Sequence, residues 1–280
     1  MLKHIRTNWA WWLGLFVALF VVVFPIYVMF KYSISDRASI ITGGMYPEPL
    51  WPFHPTTEMF EYLLSRDDFT VAGLISVKVA LYTVALSLLL GTPAAYALAR
   101  FRFPGYGVLL FSLISIRLFP DISTVIPLVE VFFNSPLSRL PVDIQVALSH
   151  TLLSLPYVIY IAMGVFETVP KDLEEQAAIL GCSRLGAFLR IVLPVAAPGL
   201  AAGAIYTFLL SWNEFIFSYY LTFTSPEGTT LPVYLLRILN WTPQKNLLAA
   251  LSLVISLPVI LFTFLVQKYM RAGLTAGAVK

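Results

Sequence analysis

Several ionisable side chains lie inside long apolar stretches of this sequence, where each one needs a reason to be present. A charge at the centre of a bilayer costs on the order of 3 kcal/mol on insertion scales. Arg117 and Asp121 are one helical turn apart, so we expect them to neutralise each other as a structural pair. Lys78 and Glu130 lie nearer the ends of their stretches, where water can reach them. His150 is expected to be a hydrogen-bonded interior residue rather than a ligand.

A second group of polar and aromatic residues lies in the middle of another apolar stretch. Asn213 and Glu214 follow Trp212, and such groups suit a sugar pathway, because they can bond hydroxyls and stack on CH faces. On one continuous helix, a single stripe would hold Asn213, Phe217, Tyr220 and Thr224. The candidate pathway residues are Asn213, Phe217, Tyr220, Trp212 and Glu214. The alternative is that Asn213 joins two helices by a hydrogen bond. Glu214 lies off the stripe and is expected to contact another span or another chain.

The composition excludes several classes of protein and of site. Of the 280 residues, 59% are hydrophobic and only 12% are charged. A soluble domain carries roughly 25% charged residues, so lipid must surround much of this chain. The net charge of +3 is spread in short clusters, unlike the concentrated basic face that binds nucleic acid. One cysteine and three scattered histidines suggest no disulfide, metal site or cofactor, and no nucleophile stands with a base, so we expect no catalytic residue.

Apolar runs of about 20 residues, the length that crosses a ~30 Å hydrocarbon core, recur six times. They cover residues 10–30, 73–98, 107–133, 144–166, 199–223 and 247–266. The first is longer than the apolar region of a signal peptide and lacks a cleavage site, so we expect an uncleaved span. The sequence therefore predicts an all-α integral membrane protein with six transmembrane helices, kinked at Pro120, Pro127 and Pro156.

The Lys and Arg residues predict the orientation of these spans. If the N-terminus is cytoplasmic, the inner segments hold more Lys and Arg than the outer ones. The bias is cleanest in the short loop with Arg100 and Arg102, where the positive-inside rule is most reliable. Both termini are then expected to be cytoplasmic.

The spans divide the chain into three predicted regions. Residues 1–30 are the cytoplasmic N-terminus and the first span. Residues 31–70 form an extracytoplasmic loop, whose prolines and aromatic residues favour an ordered cap. Residues 71–280 form a five-span core, which includes a cytoplasmic loop at 168–198 and a C-terminal tail at 268–280.

The loop at 168–198 has the signals of two short helices that form a compact knob. Asp172 and Glu175 have the spacing of a capping box, and acids favour a helix N-terminus. Gly181 can supply the left-handed turn that closes the first helix. Ser183 can cap a second helix, which is expected to end before Pro194.

The first helix of this knob favours a protein partner over lipid headgroups. Leu173, Ala177 and Leu180 fall on one stripe, whereas Glu174 is expected to point elsewhere. The small Ala177 and Ala178 would let another protein's backbone approach closely. The alternative is an amphipathic loop that lies on lipid headgroups. Such loops are rich in Lys and Arg, whereas this helix is acidic.

The spacing of this loop resembles that of the EAA loop in permease subunits of binding-protein-dependent ABC importers. The matching residues are Glu175, Ala177, Gly181, Ile191, Leu193 and Pro194. Gln176 stands where the family usually has Ala, and Leu180 stands where sugar permeases often have Asp. Two further stretches resemble maltose-type carbohydrate permeases, namely 212–215 followed by 230–233, and 273–280. The resemblance covers nearly the whole chain.

The resemblance implies a type I ABC importer permease in a bacterial or archaeal cytoplasmic (inner) membrane. It implies that the loop couples to ATPase subunits through Glu175, Ala177, Ala178, Gly181, Ile191, Leu193 and Pro194. It also implies an ATPase-contacting tail that includes Gly273, Thr275, Gly277 and Lys280. The implied partners are a second permease subunit (more often a different chain than a copy), two cytoplasmic ATPase subunits, an extracytoplasmic sugar-binding protein and membrane lipid.

The function that the sequence predicts is therefore the passive half of an ATP-driven sugar importer, not an enzyme. No GxxxxGK[ST] phosphate-binding loop occurs, so the energy must come from partner subunits. The alternative is a secondary transporter of small polar solutes, which would need repeated broken helices and groups for ion coupling. A membrane-embedded enzyme is the third class. The sequence shows no convincing internal repeat, and it does not name the sugar.

Overall fold

The computed structural model describes residues 9–36, 55–222, 225, 228–241 and 244–277. Its α-helices are α1 (Trp9–Ser33), α2 (Glu58–Leu64), α3 (Asp67–Arg100), α4 (Tyr106–Ser115), α5 (Asp121–Phe133), α6 (Val142–Thr168), α7 (Asp172–Ile179), α8 (Arg184–Ala187), α9 (Leu193–Asn213), α10 (Ile216–Thr222), α11 (Leu231–Trp241) and α12 (Lys245–Gly277). A 3₁₀ turn, Ile116–Leu118, extends α4, and a π-helical segment, Phe188–Val192, joins α8 to α9. No β-strand occurs among these described residues.

Within the described part of the chain, five helices are long and apolar enough to cross a bilayer. They are Trp11–Ser33, Asp67–Arg100, Val142–Thr168, Arg184–Asn213 and Lys245–Phe264. A bent pair, Tyr106–Leu118 and Asp121–Phe133, raises the number to six when it is counted as one span. The predicted all-α membrane architecture is confirmed, and each predicted apolar run overlaps one of these elements.

The third apolar run bends sharply at Pro120, where the sequence predicts a kink. Phe119 has an extended backbone with ψ 133°, α5 begins at Asp121, and the two halves meet at 99°. Proline lacks the N–H that a helix needs, and its ring excludes helical dihedrals at the residue before it. Pro127 and Pro156, by contrast, lie within α5 and α6, which continue through them.

The fifth apolar run differs from its prediction in two places. The second helix of the loop was expected to end before Pro194. Instead, the helix that starts at Arg184 continues through Pro194 to Asn213. The π-helical segment lies just ahead of Pro194, where a regular α-helix would require the N–H that proline lacks. The expectation of an unbroken helix to residue 223 is also wrong. The helix stops at Asn213, and α10 starts only at Ile216.

The chain divides into two compact units, Met1–Thr70 with Tyr234–Pro258 and Val71–Val233 with Val259–Lys280. In the second unit, α3, α6, the π-helical segment and α9 share one buried apolar core. Helices α6 and α9 approach closely at Gly199, where a Cβ atom would lie 2.6 Å from the side chain of Val165. Small residues permit such close packing between membrane helices.

The first unit contains α1, whose side chains from Trp11 to Phe24 are all exposed, as suits a helix surrounded by lipid or by other membrane helices. Within the predicted loop at 31–70, a backbone bond of 2.8 Å runs from Thr56 N to Ile34 O. Residues 37–54 lie outside the described part, so the ordered cap stays a prediction.

Candidate functional site

The predicted knob is present as α7, a tight turn and α8. Gly181 has a φ of +83°, which is the left-handed conformation that glycine adopts without strain. The Cys182 N–H donates to the Ala177 carbonyl at 2.9 Å, which closes the C-terminus of α7. The Ser183 hydroxyl accepts a bond from Gly186 N at 3.1 Å and so caps α8. The predicted turn at Gly181 and the predicted cap at Ser183 are therefore confirmed.

The N-terminus of α7 differs from the predicted capping box. Lys171 already has helical dihedrals, Asp172 is the first helical residue, and no side chain bonds the cap position. Asp172 is therefore inside the helix, where its carboxylate cannot cap. Glu174 and Glu175 share the first turn with Asp172, so the favourable interaction of acids with the helix dipole remains.

The knob presents an apolar tip away from its own core. Ile179 and Leu180 are 85% and 87% exposed, and Leu185 across the turn is also exposed. Leu173 and Ala177 instead pack inward. The predicted stripe of Leu173, Ala177 and Leu180 is therefore wrong at Leu180, which lies beyond the last helical residue. The buried Ala177 is not available to another backbone, whereas Ala178 is exposed.

The predicted coupling residues occupy two kinds of position. Glu175, Ala178, Gly181 and Pro194 are exposed. Ala177 is buried, while Ile191 and Leu193 are half-buried, one in the π-helical segment and one at the start of α9. The first set can touch a partner, whereas in the second set Leu193 packs against the buried core of the bundle.

Glu174, which was expected only to lie off the stripe of Leu173, Ala177 and Leu180, bonds two residues near the C-terminus of α3. Its Oε1 accepts a bond of 2.6 Å from Arg100 Nε, and its Oε2 accepts one of 2.5 Å from the Tyr96 hydroxyl. Arg100 Nη2 also donates to the Val169 carbonyl at 2.9 Å. The side chains of Arg100 and Glu174 are only 7% and 19% exposed. A carboxylate early in the loop and an i, i+4 Tyr–Arg pair at the end of a span were the available sequence signals.

The ring of Tyr96 extends this bridge into the buried core. Its centroid lies 4.5 Å from that of Phe188 in the π-helical segment and 5.6 Å from that of Phe166 in α6. Both phenylalanines are buried. One tyrosine thus connects the carboxylate of the knob with α6 and with the helix that becomes the fifth span.

A second polar cluster surrounds His150 at the break in the fifth span. His150 is fully buried, with Nδ1 2.8 Å from Ser211 Oγ and Nε2 2.8 Å from Glu214 Oε2. The expectation of a hydrogen-bonded interior histidine is confirmed. Glu214 also accepts bonds from the backbone N–H groups of Phe217 (2.7 Å) and Ser218 (3.0 Å), and so caps α10. As expected, Glu214 contacts another span, here α6.

The predicted pathway residues do not share one face of one helix. Asn213 ends α9 and is exposed, and its amide donates to Leu209 O at 2.8 Å within the same helix. Phe217 is buried on α10 and Tyr220 is partly exposed there, while Thr224 lies outside the described residues. Trp212 is buried and stacks on a neighbouring ring of α9. The continuous stripe is wrong because Glu214 ends one helix and starts another, and the role of these residues in a pathway stays a prediction.

Two cations of the other spans, Arg117 and Lys78, each lie near a carboxylate. Arg117 Nη1 lies 3.1 Å from Asp121 Oδ1 across the break in the third span, and its guanidinium also lies over the Tyr157 ring. The predicted neutralising pair is confirmed. Lys78 has a half-exposed side chain, with its Nζ 3.9 Å from Asp143. No cluster of His, Cys, Asp and Glu among the described residues could hold a metal ion.

The predicted ATPase-contacting tail continues α12. The helix extends to Gly277 and so includes Gly273 and Thr275 in its backbone. Lys280 lies outside the described residues. The contact of this tail with an ATPase stays a prediction.

Comparison with known proteins identifies the family. Residues 87–275, which contain both polar clusters and the knob, match the family described as "Binding-protein-dependent transport system inner membrane component". The chain is 31% identical to the trehalose transport system permease protein SugB of Mycobacterium tuberculosis over 91% of this chain and 92% of that one. It is 32% identical to the sulfoquinovosyl glycerol transport system permease protein SmoH of Agrobacterium fabrum, over 92% and 89% of the two chains.

The fold also resembles that of a solved ABC transporter chain. A chain from the crystal structure of a bacterial ABC transporter that imports the acidic polysaccharide alginate superposes with a TM-score of 0.77, at 22% identity, over 93% of this chain and 94% of that one. The predicted permease architecture is thereby confirmed. The chain belongs to the family of binding-protein-dependent transport system inner membrane components, and its function is that of a membrane transport subunit rather than an enzyme.

Proposed function

We propose that this chain forms half of the translocation pathway of an ATP-driven sugar importer and couples to separate ATPase subunits through its knob. The observation that carries the proposal is the exposed apolar tip formed by Ile179, Leu180 and Leu185. The tight turn at Gly181 separates Leu180 from Leu185, and the bridge at Glu174 holds α7 on its other side. An apolar tip on an otherwise polar knob marks a surface for a partner.

The partner of this tip is a protein rather than a lipid surface. The first turn of α7 carries three acids, Asp172, Glu174 and Glu175. Anionic headgroups would repel such a helix, whereas helices that lie on membranes carry Lys and Arg on their polar face. A cleft in an ATPase subunit accounts for the exposed apolar side chains and for the exposed carboxylate of Glu175.

The orientation and the other partners follow from the same assignment. The positive charges of Arg100 and Arg102 support a cytoplasmic position for this end of the bundle and for both termini. A second permease, more often a different chain, completes the pathway, two ATPases hydrolyse ATP, and an extracytoplasmic binding protein delivers the sugar. The tail from Gly273 to Lys280 reaches the ATPases.

The substrate class is a carbohydrate. The relatives include permeases for trehalose, for sulfoquinovosyl glycerol and, in Thermococcus litoralis, for trehalose and maltose, the last at 29% identity over 96% of this chain and 95% of that one. The exposed amide of Asn213 and the partly exposed ring of Tyr220 offer a hydroxyl partner and a stacking surface. These two residues are the better pathway candidates, since Phe217 and Trp212 are buried and Glu214 is bonded to His150.

The test of this function is the substitution Gly181→Val. A β-branched side chain is strained at a φ of +83°, so the turn between α7 and α8 should open and the tip should be lost. We expect normal membrane insertion but loss of ATPase co-purification, or of sugar-stimulated ATP hydrolysis, in the reconstituted complex. The matched control is Gly107→Val, at a helical glycine where a Cβ meets open space. Normal transport by Gly181→Val would refute the docking role of the knob.

Secondary transport is the alternative, and two observations favour it. The third span is bent, the fifth apolar run is interrupted after Asn213, and a His–Glu pair is buried at that interruption, as in carriers that couple to ions. Uptake of a sugar by vesicles that contain this chain without ATP or an ATPase would support that reading. ATP-dependent uptake that requires the partner subunits would exclude it.

A further inference from the structure

We propose that Glu174, through Arg100 and Tyr96, is a positioning residue that transmits movement of the knob to the cytoplasmic ends of the spans. The inference rests on the proposed docking of the knob to an ATPase. It separates two tasks within the knob. The tip binds the partner, and the bridge converts a displacement of the bound tip into a displacement of α3, α6 and α9.

Glu174 faces the bundle and not the partner. Both of its carboxylate oxygens are occupied, one by Arg100 Nε and one by the Tyr96 hydroxyl. The tip residues Ile179 and Leu180 are almost fully exposed, whereas the Glu174 side chain is only 19% exposed. Glu174 therefore acts within the chain.

The backbone at both ends of α7 would let the helix tilt if nothing else held it. Val169, where α6 ends, has an extended backbone with ψ 121°, and Gly181, where α7 closes, has a φ of +83°. A helix of eight residues between two such bends is not a rigid continuation of either neighbour. The bridge joins it to the last turn of α3, a helix of 34 residues.

Arg100 also binds the backbone between α6 and α7. Its guanidinium donates to the Val169 carbonyl as well as to Glu174, so the end of α6, the start of α7 and the end of α3 share one side chain. The Arg100 side chain is 7% exposed, and a buried cation that loses its partner is strongly destabilising. The bridge should therefore stay closed while the knob moves.

The ring of Tyr96 carries the connection into the core. It lies against Phe188, where the helix of the knob becomes the fifth span, and against Phe166 near the end of α6. Buried aromatic contacts of this kind resist shear because close packing leaves no room for sliding. Movement of α7 is thus passed to three spans at one point.

The test uses Glu174→Gln in the complete transporter, reconstituted with its ATPases and binding protein. Glutamine keeps the shape of the side chain but removes its charge. Arg100 loses its counter-ion but can still donate to the glutamine oxygen and to the Val169 carbonyl, so the knob should remain folded. We expect ATPase co-purification as in the parent, persistence of basal ATP hydrolysis, and a severalfold fall in sugar-stimulated hydrolysis and transport. The number of ATP molecules hydrolysed per sugar imported should rise.

The matched control is Glu167→Gln. Glu167 pairs with Arg102 at the same end of the bundle, but at 3.7 Å, and the Arg102 and Glu167 side chains are 64% and 47% exposed. An exposed pair of this kind contributes little, so the ATP-to-sugar ratio should stay at the parent value. A second readout is the rate at which a water-soluble maleimide labels Cys182, the only cysteine of the chain, which lines the cleft beside Arg100 and Glu174. Glu174→Gln should raise that rate, and Glu167→Gln should not.

The double variant Arg100→Gln with Glu174→Gln separates positioning from simple stability. It removes both charges and lets two neutral groups bond, so it should recover part of the coupling that Glu174→Gln loses. A purely structural role predicts instead that assembled complex and transport fall together, with an unchanged ATP-to-sugar ratio, and that result would overturn the inference. Loss of ATPase co-purification in Glu174→Gln would also overturn it. If Gly181→Val transports normally, the docking function itself has failed, whatever Glu174→Gln does.

Discussion

Glu174 and Glu214 are two inward-facing carboxylates that hold the bundle in different ways. The partners of Glu174 are side chains of α3, 74 and 78 residues earlier in the chain. Glu214 bonds His150 of α6, but it also accepts two backbone N–H groups of the helix that it starts. Loss of Glu174 detaches α7 from α3. Loss of Glu214 removes the N-terminal cap of α10. The first residue therefore controls coupling, and the second controls the local fold.

The largest expected effect is that of Glu214→Ala. The substitution removes the cap of α10 and leaves the buried imidazole of His150 without one partner, so we expect a loss of about 2–4 kcal/mol of stability. The measurement is the thermal midpoint of the purified complex, followed by size-exclusion chromatography after heating. Glu130→Ala, at an exposed carboxylate of α5, is the control. An unchanged midpoint for Glu214→Ala would remove the contrast with Glu174.

A smaller effect is expected for Tyr96→Phe. The variant loses one of the two bonds to Glu174, worth about 1.5–3 kcal/mol because the acceptor is charged, but keeps the ring against Phe188 and the ion pair of Glu174 with Arg100. The ATP-to-sugar ratio should rise, but by less than in Glu174→Gln. Tyr106→Phe is the matched control, because that hydroxyl makes only a 3.6 Å contact with the sulfur of Met163. A ratio for Tyr96→Phe as high as that for Glu174→Gln would mean that the hydroxyl, not the charge, is the critical contact.

The smallest expected effect on stability is that of Asn213→Ala, one residue before Glu214. Its amide bonds a carbonyl of its own helix, so the loss should not exceed the roughly 0.6 kcal/mol that is average for polar contacts between membrane helices. If Asn213 lines the pathway, sugar-stimulated ATPase activity should still fall severalfold at an unchanged thermal midpoint. Reduced assembly with normal transport per assembled complex would show instead that Asn213 joins helices.

What the sequence predicted well depends on local chemistry. The turn at Gly181, the cap at Ser183 and the kink at Pro120 each follow from the dihedral preferences or hydrogen bonds of a residue and its neighbours in sequence. The apolar runs were predictable for a similar reason, since their length and composition suffice to identify a span.

What the sequence could not predict depends on distant residues. The helical pattern placed Glu174 off the apolar stripe but gave it no partner, because Tyr96 and Arg100 are far away in sequence. The break after Asn213 has no proline or glycine that would predict it. There the Glu214 side chain accepts bonds from N–H groups in the first turn of α10 and so starts a new helix. Proline does disrupt the regular α-helical hydrogen bonds at Pro194, as predicted, but the chain adopts a π-helical segment there and the helix continues.

The broken third span has a consequence for synthesis of the protein. Each half contains 13 residues, which as helix reaches about 20 Å, less than the ~30 Å of the hydrocarbon core. Arg117 at the break is covered by Tyr157, and the Tyr160 hydroxyl bonds the Leu110 carbonyl, so both supports come from the following span, α6. As the chain emerges from the ribosome, the third span is complete before its supports exist. We therefore expect it to settle in the membrane only after the fourth span has entered, which makes the third and fourth spans a single unit of insertion.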